Sequence, residues 1–268
     1  MAERLGWAPD SVDVASPSSA RIYDYLLGGG HNFAADRAVA EDLARVLPVR
    51  QMARLNRSYL RRAVQALVAE GITQFLDLGS GIPTVGNVHE VAQEADPACR
   101  VVYVDVEPVA VTHAGLLLAA NRGAGAVQAD LRDPEAVLDA PETRRLLDLD
   151  RPIGLLAVGV LQFVPDEDDP WDVLARYRDA LAPGSHLALS HFTPDRMPRA
   201  MAAGADIFRG TAEPITPRTR EQVLAMMDGF ELIPPGLVFT PEWRPESPED
   251  VPSDPGRANL YAAVGRKP

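Results

Sequence analysis

The order of apolar and polar positions changes character near residue 72. Upstream the pattern is helical. Ile22, Tyr25 and Leu26 recur at helical spacing behind Ser18 or Ser19 as the capping residue, and Gly28 offers a stop. A second helix is predicted over 33–47, started by Asn32 and ended by Pro48. A third runs from 49 to 70 with Leu55, Leu60, Val64 and Leu67 on one side. Its other side carries Arg54, Arg57, Arg61 and Arg62, most of which read as a solvated face, while Arg54, Asn56 and Arg57 are also candidates for the polar wall of a pocket. Downstream, strand patterns at 74–78, 100–105, 126–129, 153–160 and 186–191 alternate with helical stretches near 86–95, 108–120, 134–148 and 170–182.

Repeated strand–helix units connect through right-handed crossovers and build a parallel sheet with helices on both faces. After residue 192 come helical patterns near 195–208 and 217–228, then strands near 236–240 and 260–265 with a proline-rich loop between them. No helix separates that last pair, so it is expected to be antiparallel. The predicted organisation is a loose tail and helical cap over 1–70 on a Rossmann-like α/β unit over 71–268.

Composition narrows the function classes. With 46% hydrophobic residues among 268, the chain can bury a substantial core. A net charge of −12 argues against wrapping nucleic acid or an anionic membrane. Cys99 is the single cysteine, so no disulfide framework is possible and it reads as a small buried residue. The longest apolar run, 153–161, is half what a membrane span needs. Residues 1–20 carry Glu3, Asp10 and Asp13 and lack a signal-peptide core, so a soluble, cytoplasmic protein is expected.

The candidate chemistry lies at the strand ends. Phe75-Leu76-Asp77-Leu78-Gly79-Ser80-Gly81 leads from the first strand toward a helix, where parallel sheets bind ligands and glycines let a ligand approach the main chain. A phosphate-binding Gly-x-x-x-x-Gly-Lys-Ser/Thr loop is absent from the sequence. A dinucleotide needs a third glycine where Thr84 stands, and Asp77 would repel its diphosphate by about 1 kcal/mol or more per close charge pair. The same carboxylate suits S-adenosylmethionine, which carries a sulfonium and an ammonium and no phosphate. Asp105 ends the second strand, 24 residues after Gly81, where an acid can accept two ribose hydroxyls. Asp130 follows the third strand and can accept the adenine amino group, with the backbone N–H of Leu131 beside it.

These residues resemble class I S-adenosylmethionine-dependent methyltransferases. Ala20 to Gly29, with its Tyr-Asp-Tyr-Leu-Leu-Gly-Gly stretch, together with Asn32 to Arg37, Asn87 to Gln93 and Phe163 to Asp166, is more specifically similar to an actinobacterial S-adenosyl methyltransferase family. The resemblance implies a seven-stranded, mostly parallel sheet with the cofactor at its carboxyl edge. The expected cofactor set is Asp77, Gly79, Ser80, Gly81, Asp105, Val106, Asp130, Leu131, Gly159 and Val160. No metal is expected.

On the acceptor side the candidates are Tyr23, His31, Asn32, Gln162 and His191. His191 reads equally as a base or orienter and as a satisfied strand-end histidine. Trp243 reads equally as pocket cover and as core. Gly28, Gly29 and Gly30 beside aromatic and amide groups suggest a mobile lid. The sequence departs from the family at Gly30-His31 and at Gln162. The leading expectation is a methyltransferase for an unidentified small molecule. A non-catalytic module sensing S-adenosylmethionine is the alternative, and an NAD-dependent oxidoreductase is less favoured.

Overall fold

The structure is a computed structural model that describes residues 12–83 and 86–268. Thr84 and most of the expected N-terminal tail lie outside the described residues. The cap is made of α1 (Ser19–Leu27), α2 (Ala34–Val46) and α3 (Val49–Ala69). Gly28 ends α1 in the left-handed region at φ 91°, which glycine adopts without a Cβ penalty. Ser18 occupies the N-cap position without a side-chain cap bond; its backbone N–H donates instead to Asp36 (3.0 Å). Phe33, not Asn32, is the N-cap of α2, because the Asp36 carboxylate reaches back to its N–H at 2.7 Å.

From β1 (Gln74–Leu78) the chain passes through α4 (Val88–Ala95), β2 (Arg100–Asp105), α5 (Pro108–Leu118) and β3 (Ala124–Gln128). It continues through α6 (Pro134–Asp139), α7 (Pro141–Leu146), β4 (Gly154–Val158), α8 (Pro170–Ala180) and β5 (His186–Phe192). The single helix expected over 134–148 is two, because Pro141 has no N–H to donate and drives Ala140 to an extended ψ of 138°. The chain ends with α9 (Pro198–Phe208), α10 (Arg220–Ala225), β6 (Glu231–Leu232), β7 (Val238–Phe239) and β8 (Leu260–Arg266).

The sheet has eight strands in the order β3-β2-β1-β4-β5-β8-β6, with β7 also on β8. Strands β1 to β5 are parallel; β8 is antiparallel to β5, β6 and β7, as expected for the last pair. The strand beyond the expected seven is β6, two exposed residues too short to carry an alternating pattern. The chain winds outward from β1 to β3 and then returns to the other side of β1 for β4. That reversal opens a crevice beyond the carboxyl ends of β1 and β4, where parallel sheets receive ligands.

Two apolar cores lie against the sheet. One includes Leu76, Val102, Leu155 and Leu187, and the other combines Phe75, Val101 and Leu156 with Tyr59, Val64 and Leu67 of α3. A third core belongs to the cap, where Ile22, Leu43 and Met52 meet Met201 and Phe208 of α9. Buried Arg21 anchors the cap, pairing with buried Asp36 and with Glu107 just past β2 at 3.0 Å each. Arg62 departs from the solvated face expected of it. It is buried, donating to the carbonyls of Trp243 (2.9 Å) and Thr240 (2.7 Å), while Arg54 and Arg61 are exposed. Trp243 is core as well, fully buried and edge-on to Tyr59 at 5.5 Å.

Removing the Arg62 guanidinium strands two buried carbonyls, each costing about 1–3 kcal/mol. Arg62→Met is therefore expected to lower the unfolding free energy by at least about 2 kcal/mol in urea titration; an unchanged midpoint would count against this anchoring.

Candidate active site

The crevice at the β1/β4 reversal is a cavity of ≈ 370 Å³ roofed by the cap. Asp77 is the fourth residue of β1, and the Gly79-Ser80-Gly81 turn follows with φ values of 61° and 65° at its glycines. A Cβ at Gly79 would also strike the Val160 side chain, so this turn needs glycine on two counts. Across the reversal, Gly159 has φ 72° and lies against Asn56, whose Nδ2 would sit 2.8 Å from a Cβ there. All of Asp77, Gly79, Ser80, Gly81, Asp105, Val106, Asp130, Leu131, Gly159 and Val160 line the cavity.

Burial sets the electrostatics. Desolvation pushes the Asp77 carboxyl up to about 7; the Arg57 guanidinium opposes this and the Asp105 charge adds to it. Asp105 is pushed up to about 6, again by burial, partly offset by N–H donors from Glu107 (2.9 Å) and Gly81 (2.7 Å). Each Asp105 oxygen thus accepts one backbone N–H and keeps a lone pair for a further donor. Such an acceptor set fits a ligand carrying a cation and a pair of hydroxyls. Asp130 is different: hydrogen bonds from the Arg132 side chain hold its carboxyl below the usual range, with contacts at 2.5–3.0 Å. Arg132 also lines the cavity and reaches Asp168 at 2.5 Å.

Of the residues expected on the acceptor side, Tyr23 and Gln162 line the cavity. The Tyr23 hydroxyl donates to the Ala53 carbonyl at 3.1 Å, and burial raises its pKa, so the phenol stays neutral. His31, Asn32 and His191 do not line it. His191 is fully buried and pushed down to about 4, chiefly by desolvation. Its Nε2 accepts from Arg218 (3.0 Å), which leaves Nδ1–H to donate to the Phe192 carbonyl (2.8 Å). Both ring nitrogens are engaged, so it is a satisfied strand-end histidine and not a base.

The His31 ring lies tilted against that of His113, with centroids 3.9 Å apart. The backbone N–H of His31 and the Asn32 side chain both donate to Asp24 Oδ2, at 2.9 and 2.8 Å. Asp24 also lies close against the glycine stretch: a Cβ at Gly29 would collide with its carboxylate.

Of four cavity-linked charges, the sequence offered Arg57 as part of a polar wall and gave no sign of the other three. Arg57, half-buried, faces Asp77 and donates to Asn87 Oδ1 (3.2 Å). Arg132 and Glu213 line the same end, the latter accepting the Ser19 N–H at 2.6 Å. Arg218, fully buried, donates to the carbonyls of Leu161 (3.0 Å) and Val164 (2.8 Å) and to Asp166 (2.7 Å). It pins the 161–165 loop that brings Gln162 and Phe163 into the wall. No local spacing signals Arg132, Glu213 or Arg218, whereas Arg57 follows from α3 facing the strand ends.

A Rossmann-like parallel sheet with acids at the β1 and β2 ends and a glycine turn between β1 and α4 defines the class I methyltransferase architecture. The chain belongs to the S-adenosyl methyltransferase family, whose model matches residues 5–268. Among solved structures it is similar to a protein from Thermobifida fusca assigned as a methyltransferase, at 42% identity and TM-score 0.92 over 98% of this chain and 99% of that one. A DUF574 family protein from Streptomyces avermitilis shares 39% identity and TM-score 0.92 over 96% and 99% of the two chains. The N-methyltransferase NodS from Bradyrhizobium japonicum, in complex with S-adenosyl-L-homocysteine, shares the fold at 14% identity and TM-score 0.51, over 87% and 97% of the chains. No curated protein matches. Among the described residues, no helix is long and apolar enough to cross a membrane, and no cluster of three metal-ligating side chains occurs.

Because Asp77 binds its proton more tightly folded than unfolded, its ionisation destabilises the fold. That penalty grows from about pH 4 to about pH 7 and then levels off. Asp77→Asn is expected to exceed the parent in stability at pH 8 by roughly 1–4 kcal/mol and to match it near pH 4. Thermal unfolding across that range checks the sign; an advantage that grew toward acid would contradict it.

Proposed function

We propose that the protein transfers a methyl group from S-adenosylmethionine to a small-molecule acceptor. The reading is carried by one observation: two desolvated carboxylates, Asp77 and Asp105, flank a glycine turn and open into a single cavity. Asp77 would take the ammonium of the cofactor's methionine part, and Arg57 beside it the carboxylate. Asp105 would accept the ribose hydroxyls through its remaining lone pairs. Asp130, shared with Arg132, and the backbone of Leu131 would meet the adenine, with Val106 packing against it. Gly79, Ser80 and Gly81 would let the cofactor lie against main chain, and Gly159 and Val160 would flank its methionine part.

When bound, the cofactor supplies a methyl on a cationic sulfur, which keeps the bonding electrons as the methyl joins an acceptor lone pair and the acceptor's proton passes to water. The chain's own part is to orient and desolvate. Tyr23, neutral and fixed to the Ala53 carbonyl, and Gln162 form the acceptor-side wall. A charged nucleic acid finds little to hold it on a chain of net charge −12.

Calorimetry with S-adenosylhomocysteine and NAD tests the reading. S-adenosylhomocysteine is expected to bind and NAD not to. Asp105→Asn should weaken S-adenosylhomocysteine by about 1–3 kcal/mol through loss of charge-assisted hydrogen bonds. NAD binding in its place, or an Asp105→Asn variant with parental affinity, would refute the assignment.

A further inference from the structure

The cavity has two chemically distinct ends. Its charged lining groups are Arg57, Asp77, Asp105, Asp130, Arg132 and Glu213. They form two groups: Arg57 and Asp105 act on Asp77, and Glu213 on Asp105, while Arg132 pairs with Asp130. The other end penetrates the apolar core of the cap. Leu26, Leu43, Met52, Phe163, Phe192 and Phe208 belong to that core or pack on it, and all of them line the cavity. Among the described residues, no charged side chain lines this end. Phe163 and Phe208 meet edge-to-face at 5.9 Å, which presents aromatic surface in two orientations.

Gln162 lines the cavity between Val160, which lies against Gly79 of the glycine turn, and Phe163 of the apolar end. It is 2% exposed, and its Nε2 donates to the Gly159 carbonyl at 2.6 Å. That bond fixes the amide orientation and leaves Oε1 buried with no hydrogen-bond partner. Neighbouring Asn56 has no such vacancy in its bonding, since its Oδ1 accepts from Ser190 (2.6 Å) and its Nδ2 donates to Tyr23 (3.3 Å). An orphaned buried acceptor is costly and is relieved by a donor.

We propose that the acceptor is an uncharged, planar aromatic molecule that occupies the apolar chamber and donates an O–H or N–H hydrogen bond to Gln162 Oε1. This rests on the methyltransferase reading, in which the charged end holds the cofactor and the chamber is left for the acceptor. A charged acceptor would bury its charge among apolar side chains with no counter-ion, which disfavours carboxylates, phosphates and ammonium compounds there. A fully apolar molecule would leave Oε1 unsatisfied.

The test uses the full chain saturated with S-adenosylhomocysteine and three probes of one shape: 1-naphthol, 1-methoxynaphthalene and 1-naphthoate. Naphthol is expected to bind about tenfold or more tightly than either of the others, because only it is both neutral and a donor. Gln162→Met should bring naphthol down to the level of methoxynaphthalene. Filling the chamber with Leu43→Trp or, independently, Met52→Phe should remove naphthol binding. Binding of S-adenosylhomocysteine, measured first in each protein, reports that the charged end is intact. If it binds while naphthol fails to bind, fails to outcompete naphthoate, or keeps its preference in Gln162→Met, the aromatic acceptor is overturned and the cofactor reading survives. If S-adenosylhomocysteine does not bind the parent protein, both fall together.

Discussion

Desolvation of carboxylates at the ends of parallel strands is the constraint on which the site depends. A parallel strand buried on both faces delivers its last side chains into a crevice with little water, and Asp77 and Asp105 are 5% and 9% exposed there. Their pKa values are raised, to about 7 and about 6, because the crevice solvates negative charge poorly. A cation and hydroxyl donors would supply what the protein withholds. Backbone N–H groups from Gly81 and Glu107 keep Asp105 nearer ionisation than Asp77, which has Arg57 facing it.

The cap completes that environment by excluding water from above. Arg21 ties α1 to α2 and to Glu107, immediately beyond the Asp105 strand, and Glu213 receives the N–H of Ser19. The roof is therefore fastened to the rim of the charged end, while its own apolar core extends the cavity sideways. One cavity consequently offers charge and hydrogen bonding at one end and aromatic surface at the other, with Gln162 in its wall.

What was legible in the sequence follows from the range of the interactions involved. Strand ends, the glycine turn and the acids at 77, 105 and 130 carry their signal within a few residues, and the parallel order follows from strand–helix alternation. Contacts across the chain carry no such signal. Arg218 bonds groups 27 to 57 positions away, and those partners turned His191 from a candidate base into a neutral, occupied side chain. The bonds of the Gly28–Asn32 stretch were hidden for a similar reason. Its glycines are visible in the chain, whereas the Asp24 carboxylate that accepts from His31 and Asn32 lies seven and eight positions back. Arg62 looked solvated because its carbonyl partners lie about 180 residues later, at Thr240 and Trp243.

Proton linkage tests the central claim most directly. Calorimetric titration with S-adenosylhomocysteine at pH 6, repeated in buffers of different ionisation enthalpy, counts protons exchanged on binding. If Asp77 and Asp105 meet an ammonium and ribose hydroxyls, both carboxyls become more acidic in the complex, and binding is predicted to release protons. Zero exchange, or net uptake, would contradict an account in which these two buried acids hold the cofactor.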